Sequence, residues 1–127
     1  MNILLDTHII IHSNAGLLSS EREKILENRK NSLYISQISL WEITKLCEHK
    51  HIIPEKGLQH LLISIYHHPL YTVVDFSLNM LLQLAQIVPK IHKDPADQII
   101  MATALDIEAH IMTNDSRMKA SKLVRTV

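Results

Sequence analysis

The sequence contains little glycine and almost no cysteine. Only two of its 127 residues are glycine, Gly16 and Gly57. This scarcity excludes the glycine-rich phosphate loops of P-loop and dinucleotide-binding proteins. The single cysteine, Cys47, cannot form an internal disulfide, and no CxxC pair suggests a zinc ribbon or a redox motif. We therefore expect an intracellular, cytoplasmic protein whose core needs no cross-links.

An excess of charge and a long apolar run are also missing. Thirteen basic and 13 acidic residues cancel, so a nucleic acid would have to be bound by a local patch. The apolar segment from Leu58 to Tyr66 is interrupted by polar residues and is far shorter than the roughly 20 residues that cross a bilayer. The first six residues, Met1 to Asp6, include no basic residue and already reach an acid, so they differ from a signal peptide. We expect a soluble protein that does not bind membranes.

What the sequence does contain is an alternation of short apolar segments and helical patterns. Strands are predicted at residues 3–5, 33–36, 71–76, 111–112 and 123–124. Helices are predicted at residues 9–11, at 20–30 after a cap at Ser19, at 37–49, from Pro54, at 77–88 before Pro89, and at 95–108. The alternation predicts one α/β domain over residues 1–127, with a parallel sheet covered by helices on both faces.

Two aspartates follow predicted strands. Asp6 comes directly after residues 3–5, and Asp115 comes shortly after residues 111–112. Because ligands of an open parallel sheet collect at the carboxyl ends of the strands, both carboxylates are expected at one rim. Each also has a local explanation, since Asp6 can cap the next helix and Asp115 can hydrogen-bond within its own turn. Taken singly, each aspartate is better explained locally.

Glu42 lies on a predicted helix, in a row with apolar residues. Ile38, Glu42 and Leu46 are spaced by four, so we expect this carboxylate among buried neighbours. A pair with Lys45 would contribute only about 0.2–0.5 kcal/mol at a surface. A bound cation is therefore the stronger candidate for its partner.

The segment Asp94-Pro95-Ala96-Asp97 reads as the start of a helix. Asp94 suits the N-cap and Pro95 the first helical position. Asp97 is followed at helical spacing by Ile100, Met101 and Ala104, which places it at the top of the inward-facing stripe. We therefore assign capping to Asp94 and chemistry to Asp97.

Four short motifs stand in register along the chain. They are Leu4-Leu5-Asp6-Thr7-His8, Ser39-Leu40-Trp41-Glu42-Ile43, His92-Lys93-Asp94-Pro95-Ala96-Asp97 and Met112-Thr113-Asn114-Asp115. Their order and approximate spacing resemble the PIN-domain family, and most closely the VapC-like toxins of bacterial toxin–antitoxin pairs. One such string is weak evidence, whereas four across one small domain are specific. The resemblance covers essentially the whole chain.

The resemblance implies a PIN-like three-layer α/β/α fold and a Mg²⁺- or Mn²⁺-dependent endoribonuclease that acts as a toxin. It also implies an RNA substrate, a cognate antitoxin and a homodimer. It further implies four residues as metal ligands and catalytic groups: Asp6, Glu42, Asp97 and Asp115. The hydroxyl of Thr113 is implied in a supporting role. The sequence departs from the family at Gln98, where many relatives carry arginine, and in the turn before His110, which lacks the common glycine.

Carboxylate oxygens favour a hard cation such as Mg²⁺ or Mn²⁺ over zinc. Such a site would hydrolyse RNA with a metal-activated water, and Glu42 is a candidate to accept its proton. The basic residues near the expected rim, most of which we expect to be solvated, are Lys90, Lys93, Arg117, Lys119, Lys122 and Arg125. His8, His12 and His92 lie close in sequence to these elements, and Trp41 is expected to pack rather than to stack on a base.

Two alternatives stay open on the sequence alone. One is a non-catalytic PIN-like module that binds RNA or a protein, against which the presence of all the acids argues. The other is a Mg²⁺-dependent phosphoryl-transfer protein, such as a receiver-like domain or a phosphatase. The paired-aspartate signature of such phosphatases is missing because position 8 is His8.

Overall fold

Parallel strands form the centre of the molecule, which is described by a computed structural model over residues 1–87 and 93–127. Within those residues the strands are β1 Asn2–Leu5, β2 Ser32–Ser36, β3 Tyr71–Val74 and β4 His110–Met112. They form one sheet in the order β3-β2-β1-β4, with every pair parallel. The predicted short parallel sheet is confirmed.

Helices connect the strands. In the described part of the chain they are α1 Thr7–Asn14, α2 Ser20–Glu27, α3 Gln37–Glu48, α4 Leu58–Tyr66, α5 Leu78–Ile87, α6 Pro95–Asp106 and α7 Ser116–Ala120. None of these helices is long and apolar enough to span a bilayer. The predicted helix end at Val88, its terminator Pro89, and the side chains of Lys90 and His92 lie outside the described residues.

The core lies on both faces of the sheet. Successive side chains of a strand point to opposite faces, so Leu5 and Leu4 of β1 enter different clusters. Leu5 packs in a cluster that includes Ile9 of α1 and Ile43 of α3. Leu4 packs in a second cluster with Ile100 of α6. Helices therefore cover both faces, which confirms the predicted three-layer α/β/α arrangement.

The register of the sheet aligns the carboxyl ends of β1 and β4, and β2 ends one residue beyond them. Leu5 of β1 is level with Ile35 of β2 and with Met112 of β4. The chain first moves from β1 outward through β2 and β3, and then returns to the other side of β1 with β4. The sheet order thus reverses between β1 and β4, and such a reversal leaves a crevice outside the strand ends where ligands bind in open α/β sheets.

Some of the predicted elements are wrong. Pro54 does not start a helix, because its carbonyl accepts the backbone N–H of Gly57 at 3.1 Å and closes a turn. Gly57 has a φ of 87°, and α4 begins only after it. Residues 123–124 are not a strand; the bridge to β4 pairs Ile111 with Thr126 instead. Leu123 packs on the second core cluster, which explains its apolar character.

Other differences concern element ends. The helix capped by Ser19 stops at Glu27, short of the predicted residue 30, because Asn28 is extended. The predicted strand over residues 71–76 ends at Val74. Helix α7 was not predicted, since five residues are too few to show a helical period.

Candidate active site

Asp6 lies where the central strand β1 ends, and it is only 6% exposed. Its Oδ1 accepts the backbone N–H of Thr7 at 2.7 Å, which caps α1. Its Oδ2 accepts the hydroxyl of Thr113 at 2.6 Å, across the gap to the end of β4. The local explanation and the rim prediction therefore both hold for this residue. Asp6 is a cap whose second oxygen faces the neighbouring strand.

Thr113 links Asp6 to the turn that carries Asp115. The buried Thr113 hydroxyl accepts the backbone N–H of Asp115 at 2.9 Å while it donates to Asp6. Asp115 caps α7, since its Oδ1 accepts the backbone N–H of Arg117 at 2.7 Å and that of Met118 at 3.3 Å. Burial acts to raise the pKa of Asp115, but the hydrogen bonds from Arg117 and Met118 outweigh it and lower that pKa. Asp115 is thus held as an anion at the rim.

Glu42 reaches the same edge from α3. It is half-buried rather than enclosed, and its Oε1 accepts the hydroxyl of Thr7 at 2.5 Å. Burial raises the pKa of Glu42, the Thr7 hydrogen bond opposes this, and the charges of Asp6 and Asp94 raise it further. Lys45 turns to Glu48, with Nζ 2.9 Å from Oε2. The Glu42 carboxylate is therefore hydrogen-bonded by the hydroxyl group of Thr7 and is not paired with the ammonium group of Lys45.

Asp97 stands in the first turn of α6. As predicted, Asp94 is the N-cap: its Oδ1 accepts the backbone N–H of Ala96 at 3.0 Å and that of Asp97 at 3.2 Å. The Asp97 side chain is 14% exposed. Burial raises its pKa to about 7, with further contributions from the charges of Asp94, Asp6, Glu42 and Asp115. Carboxylates that are far apart in the sequence thus act on one another at one edge of the sheet.

A guanidinium group lies beside these acids. Arg117 Nη2 is 3.3 Å from Asp115 Oδ2 and 4.0 Å from Asp97 Oδ2. Its side chain is 62% exposed, so these ion pairs are expected to contribute less than about 1 kcal/mol each to stability. Sequence reasoning placed Arg117 among rim residues that would mostly be solvated; in the structure it contacts the acidic edge directly.

Arg22 is a site-building residue that the sequence did not reveal. From α2 it donates to the backbone oxygen of Thr113 at 2.9 Å and to the side-chain oxygen of Asn114 at 2.5 Å. These bonds hold the turn that leads to Asp115. No local pattern marks Arg22, because its partners lie 91 and 92 residues later.

Most of the other basic residues predicted near the site are exposed where the structure describes them. Lys93, Lys119, Lys122 and Arg125 are exposed, as expected of solvated residues. His8 is also exposed, and its charge acts to lower the pKa of Glu42.

The prediction that Trp41 packs inside is wrong. Its side chain is 52% exposed and follows the outer side of α3, where Lys45 Nζ lies 5.8 Å from the ring centre. The apolar stripe of α3 is formed without it, by residues such as Ile38 and Ile43. An aromatic ring is thus presented to solvent one residue before Glu42.

The donor set suits a hard divalent cation. Carboxylates converge here without a thiolate, and Mg²⁺ and Mn²⁺ prefer such oxygen ligands. Among residues 1–87 and 93–127, no three His, Cys, Asp or Glu side chains lie close enough together to hold one ion. The chemistry of the donors therefore fits the ion, while a closed set of ligands is not preformed.

The chain is thus an α/β protein with a cluster of acidic side chains where the strand order of a short parallel sheet reverses. The PIN domain family model matches residues 3–122 of this chain. The chain therefore belongs to the PIN domain family. No curated protein matches it in sequence.

Solved structures share the fold. The chain resembles one in the structure of VapBC2 from Rickettsia felis bound to a promoter DNA fragment, with a TM-score of 0.76, 18% identity, and coverage of 100% of this chain and 98% of that one. It resembles one in DNA-bound VapBC from Salmonella typhimurium, with a TM-score of 0.77, 18% identity, and coverage of 100% and 97%. FitAcB from Neisseria gonorrhoeae has a TM-score of 0.66, 22% identity, and coverage of 98% and 95%. The predicted PIN-like fold is confirmed by these similarities.

Proposed function

We propose that this protein is a Mg²⁺- or Mn²⁺-dependent endoribonuclease that hydrolyses RNA phosphodiester bonds, and that it is the toxin of a toxin–antitoxin pair. One observation carries the proposal: Asp6, Glu42, Asp97 and Asp115 meet at one edge of the sheet, joined through Thr7, Thr113 and Arg117. Burial there, and then the charges of the neighbouring acids, raise the pKa of Asp97 to about 7. Repulsion of this kind is unfavourable unless a cation neutralises it. Strongly perturbed acids in a crevice are characteristic of functional sites.

Asp6, Asp97 and Asp115 are the residues that would hold the ion, with Glu42 at its edge. When bound, the ion supplies Lewis-acid polarisation of the phosphodiester and a lower pKa for a water molecule. Thr113 fixes the carboxylate of Asp6, and Thr7 fixes that of Glu42, through the hydrogen bonds described above. These hydroxyl groups limit the rotation of the acids before substrate arrives.

Glu42 is the group we assign to accept the proton of the attacking water. Its raised pKa makes it a stronger base than an ordinary carboxylate, and it keeps one oxygen beyond the one that Thr7 contacts. Asp115 is less suited to this role, because its hydrogen bonds lower its pKa. The two acids therefore have different tasks, proton transfer and binding.

The family and the structural neighbours support the proposed partners. Those neighbours include a toxin–antitoxin complex from Klebsiella pneumoniae and VapBC-1 from nontypeable Haemophilus influenzae. By extension, this chain would be paired with an antitoxin that covers the acidic edge with a basic side chain, would form a homodimer and would act on RNA in the cytoplasm. An excess of negative charge at this edge suits a basic side chain.

The test is the sequencing of cleaved RNA ends after induction in cells. Wild type should produce defined new ends that Asp6→Asn does not produce. Asp75→Asn is the matched control, because Asp75 also follows a parallel strand, β3, but is exposed. It should give the wild-type ends. Equal patterns for wild type and Asp6→Asn would contradict the proposed activity.

A further inference from the structure

A cleft adjoins the acidic edge on the outer side of α3. It has a volume of about 360 Å³ and is lined by Trp41, Glu42, Lys45, His49, His51 and Asp94, among others. That volume is within the roughly 300–1,000 Å³ of small-ligand sites. Glu42 and Asp94 belong to both the cleft and the acidic cluster, so the two are continuous. A polymer with one bond at the acids would extend into this cleft.

Trp41 gives the cleft an aromatic wall. It is the only tryptophan in the sequence, and 52% of its side chain is exposed. Pro95 and Ala96, at the start of α6, line the same cleft. Every nucleobase has a π face that can stack on an exposed aromatic ring whatever its sequence. The exposed ring is therefore suited to stack on a nucleobase.

Nitrogen-bearing side chains line the part of the cleft that is formed by the last turn of α3 and the residues after it. Lys45 Nζ lies 5.8 Å from the centre of the Trp41 ring. The imidazoles of His49 and His51 follow, with ring centres 6.3 Å apart. Lys45 is paired with the exposed Glu48, and such a surface pair is weak enough to exchange for a phosphate. Lys45 thus supplies a positive charge on this side of the cleft, and imidazole N–H groups are hydrogen-bond donors for the oxygens of a nucleotide backbone.

We propose that this cleft binds one unpaired nucleotide of the RNA next to the cleaved bond. Its base stacks on Trp41, and its phosphate lies toward Lys45, His49 and His51. The inference rests on the proposed ribonuclease activity and adds to it a binding subsite for one nucleotide beside the acidic edge. A base inside a duplex is already stacked on its neighbours and presents no free face to Trp41.

The fluorescence of the sole tryptophan tests this directly. The probe is a short single-stranded oligoribonucleotide of mixed sequence, added to wild type in EDTA so that no cleavage occurs. We expect it to quench Trp41, and we expect the same strand annealed to its complement to leave the emission unchanged. No quenching by the single strand, or equal quenching by the duplex, overturns the proposal.

Variants separate stacking from general effects. With a dye-labelled form of the same oligoribonucleotide, Trp41→Ala should weaken binding about 5- to 100-fold, while Trp41→Phe keeps most of the affinity. Tyr66→Ala is the matched control, since Tyr66 is 48% exposed at the end of α4 and lies outside the cleft. Equal affinities for wild type and Trp41→Ala, or an equal loss in Tyr66→Ala, overturns the proposal.

Cleavage kinetics distinguish this inference from the proposed function. In Mg²⁺, Trp41→Ala should raise KM for a single-stranded substrate with little change in kcat. If wild type cleaves RNA and Trp41→Ala has the same KM, the cleft proposal fails and the ribonuclease assignment stands. If the oligoribonucleotide quenches Trp41 but wild type cleaves no RNA in Mg²⁺ or Mn²⁺, nucleotide binding in the cleft is supported and the ribonuclease assignment fails.

Discussion

An aspartate directly follows β1 and another directly follows β3 at the same edge of the sheet, but the two aspartates lie in different surroundings. Asp6, after β1, is 6% exposed and accepts hydrogen bonds from Thr7 and Thr113. Asp75, after β3, is exposed. The charges that act on Asp97 include that of Asp6, and Asp75 is not among them. A carboxylate at a strand end is therefore not enough to make a site.

The difference comes from the position of each strand in the sheet. β1 is central and borders the point where the strand order reverses, whereas β3 is at the edge. Around the end of β1, α3 supplies Glu42, the start of α6 supplies Asp97, and the turn before α7 supplies Asp115. The strand order of the sheet therefore determines at which strand end the acidic side chains lie together.

The largest expected effect is on catalysis. Asp97→Asn and Asp6→Asn should each lower kcat/KM for RNA by at least about 100-fold, because even outer-shell partners of metal ligands commonly change activity 10–100-fold. Asp75→Asn should stay within about twofold of wild type. Initial rates in Mn²⁺ on purified proteins measure this. Comparable losses in Asp75→Asn and Asp97→Asn would remove the distinction between the two strand ends.

The next effect concerns the hydroxyl that joins β1 to β4. Thr113→Val keeps the shape of the side chain but leaves Asp6 and the backbone N–H of Asp115 without their shared partner. We expect the free energy of unfolding to fall by about 1–3 kcal/mol. Thr113→Ser retains the hydroxyl and should lose much less. Urea denaturation measures both, and equal losses would mean that the methyl group, not the hydrogen bonds, matters.

A smaller effect should appear as pH dependence. The pKa of Asp97 is about 7 in the folded protein and about 3.9 in an unfolded chain. The folded state therefore binds the proton more tightly, and this residue's contribution to stability is lost as pH rises from about 4 to 7. Asp97→Asn should be more stable than metal-free wild type at pH 8 by about 1–2 kcal/mol, allowing for solvent screening. The gap should close near pH 4.

Thermal unfolding in EDTA across this pH range measures the gap, with Asp75→Asn as the control that should follow wild type. A difference in stability between Asp97→Asn and wild type that is the same at every pH would show that the pKa of Asp97 is not raised in the folded protein. The cause of such a difference would then be packing.

The smallest effect is expected for the exposed guanidinium. Arg117→Ala removes the contacts to Asp115 and Asp97, but because its side chain is 62% exposed the free energy of unfolding should change by less than about 1 kcal/mol. Arg125→Ala, an exposed arginine outside the acidic edge, is the matched control. A loss much larger than that of Arg125→Ala in urea denaturation would mean that Arg117 is essential for holding the acids together.

Local signals in the sequence predicted much of the fold. The apolar run before Asp6 predicted β1, and Asp94 with Pro95 predicted both the start and the capping of α6. These predictions depend on residues within a few positions of one another. The helix predicted from Pro54 was wrong because proline favours a turn as readily as the first turn of a helix. Here the backbone N–H of Gly57 closes a turn with Pro54, and the helix begins only after Gly57.

Contacts between residues far apart in the sequence could not be predicted from such local signals. Arg22 reaches the Thr113 turn across 91 residues, so only the folded chain reveals it. Lys45 had acids three residues away on both sides, and it pairs with Glu48 because Glu42 turns toward Thr7. Trp41 was expected to pack, but other residues form the buried side of α3 and leave the ring outside.

We propose that the acids at the ends of β1 and β4 and on α3 and α6 jointly bind a divalent ion. Calorimetric titration of Mn²⁺ into the metal-free protein measures this binding. We expect saturable binding to wild type and to Asp75→Asn, and binding at least about tenfold weaker to Asp6→Asn and to Asp97→Asn. Binding of equal affinity in all four proteins, or no Mn²⁺ binding to wild type, would contradict it.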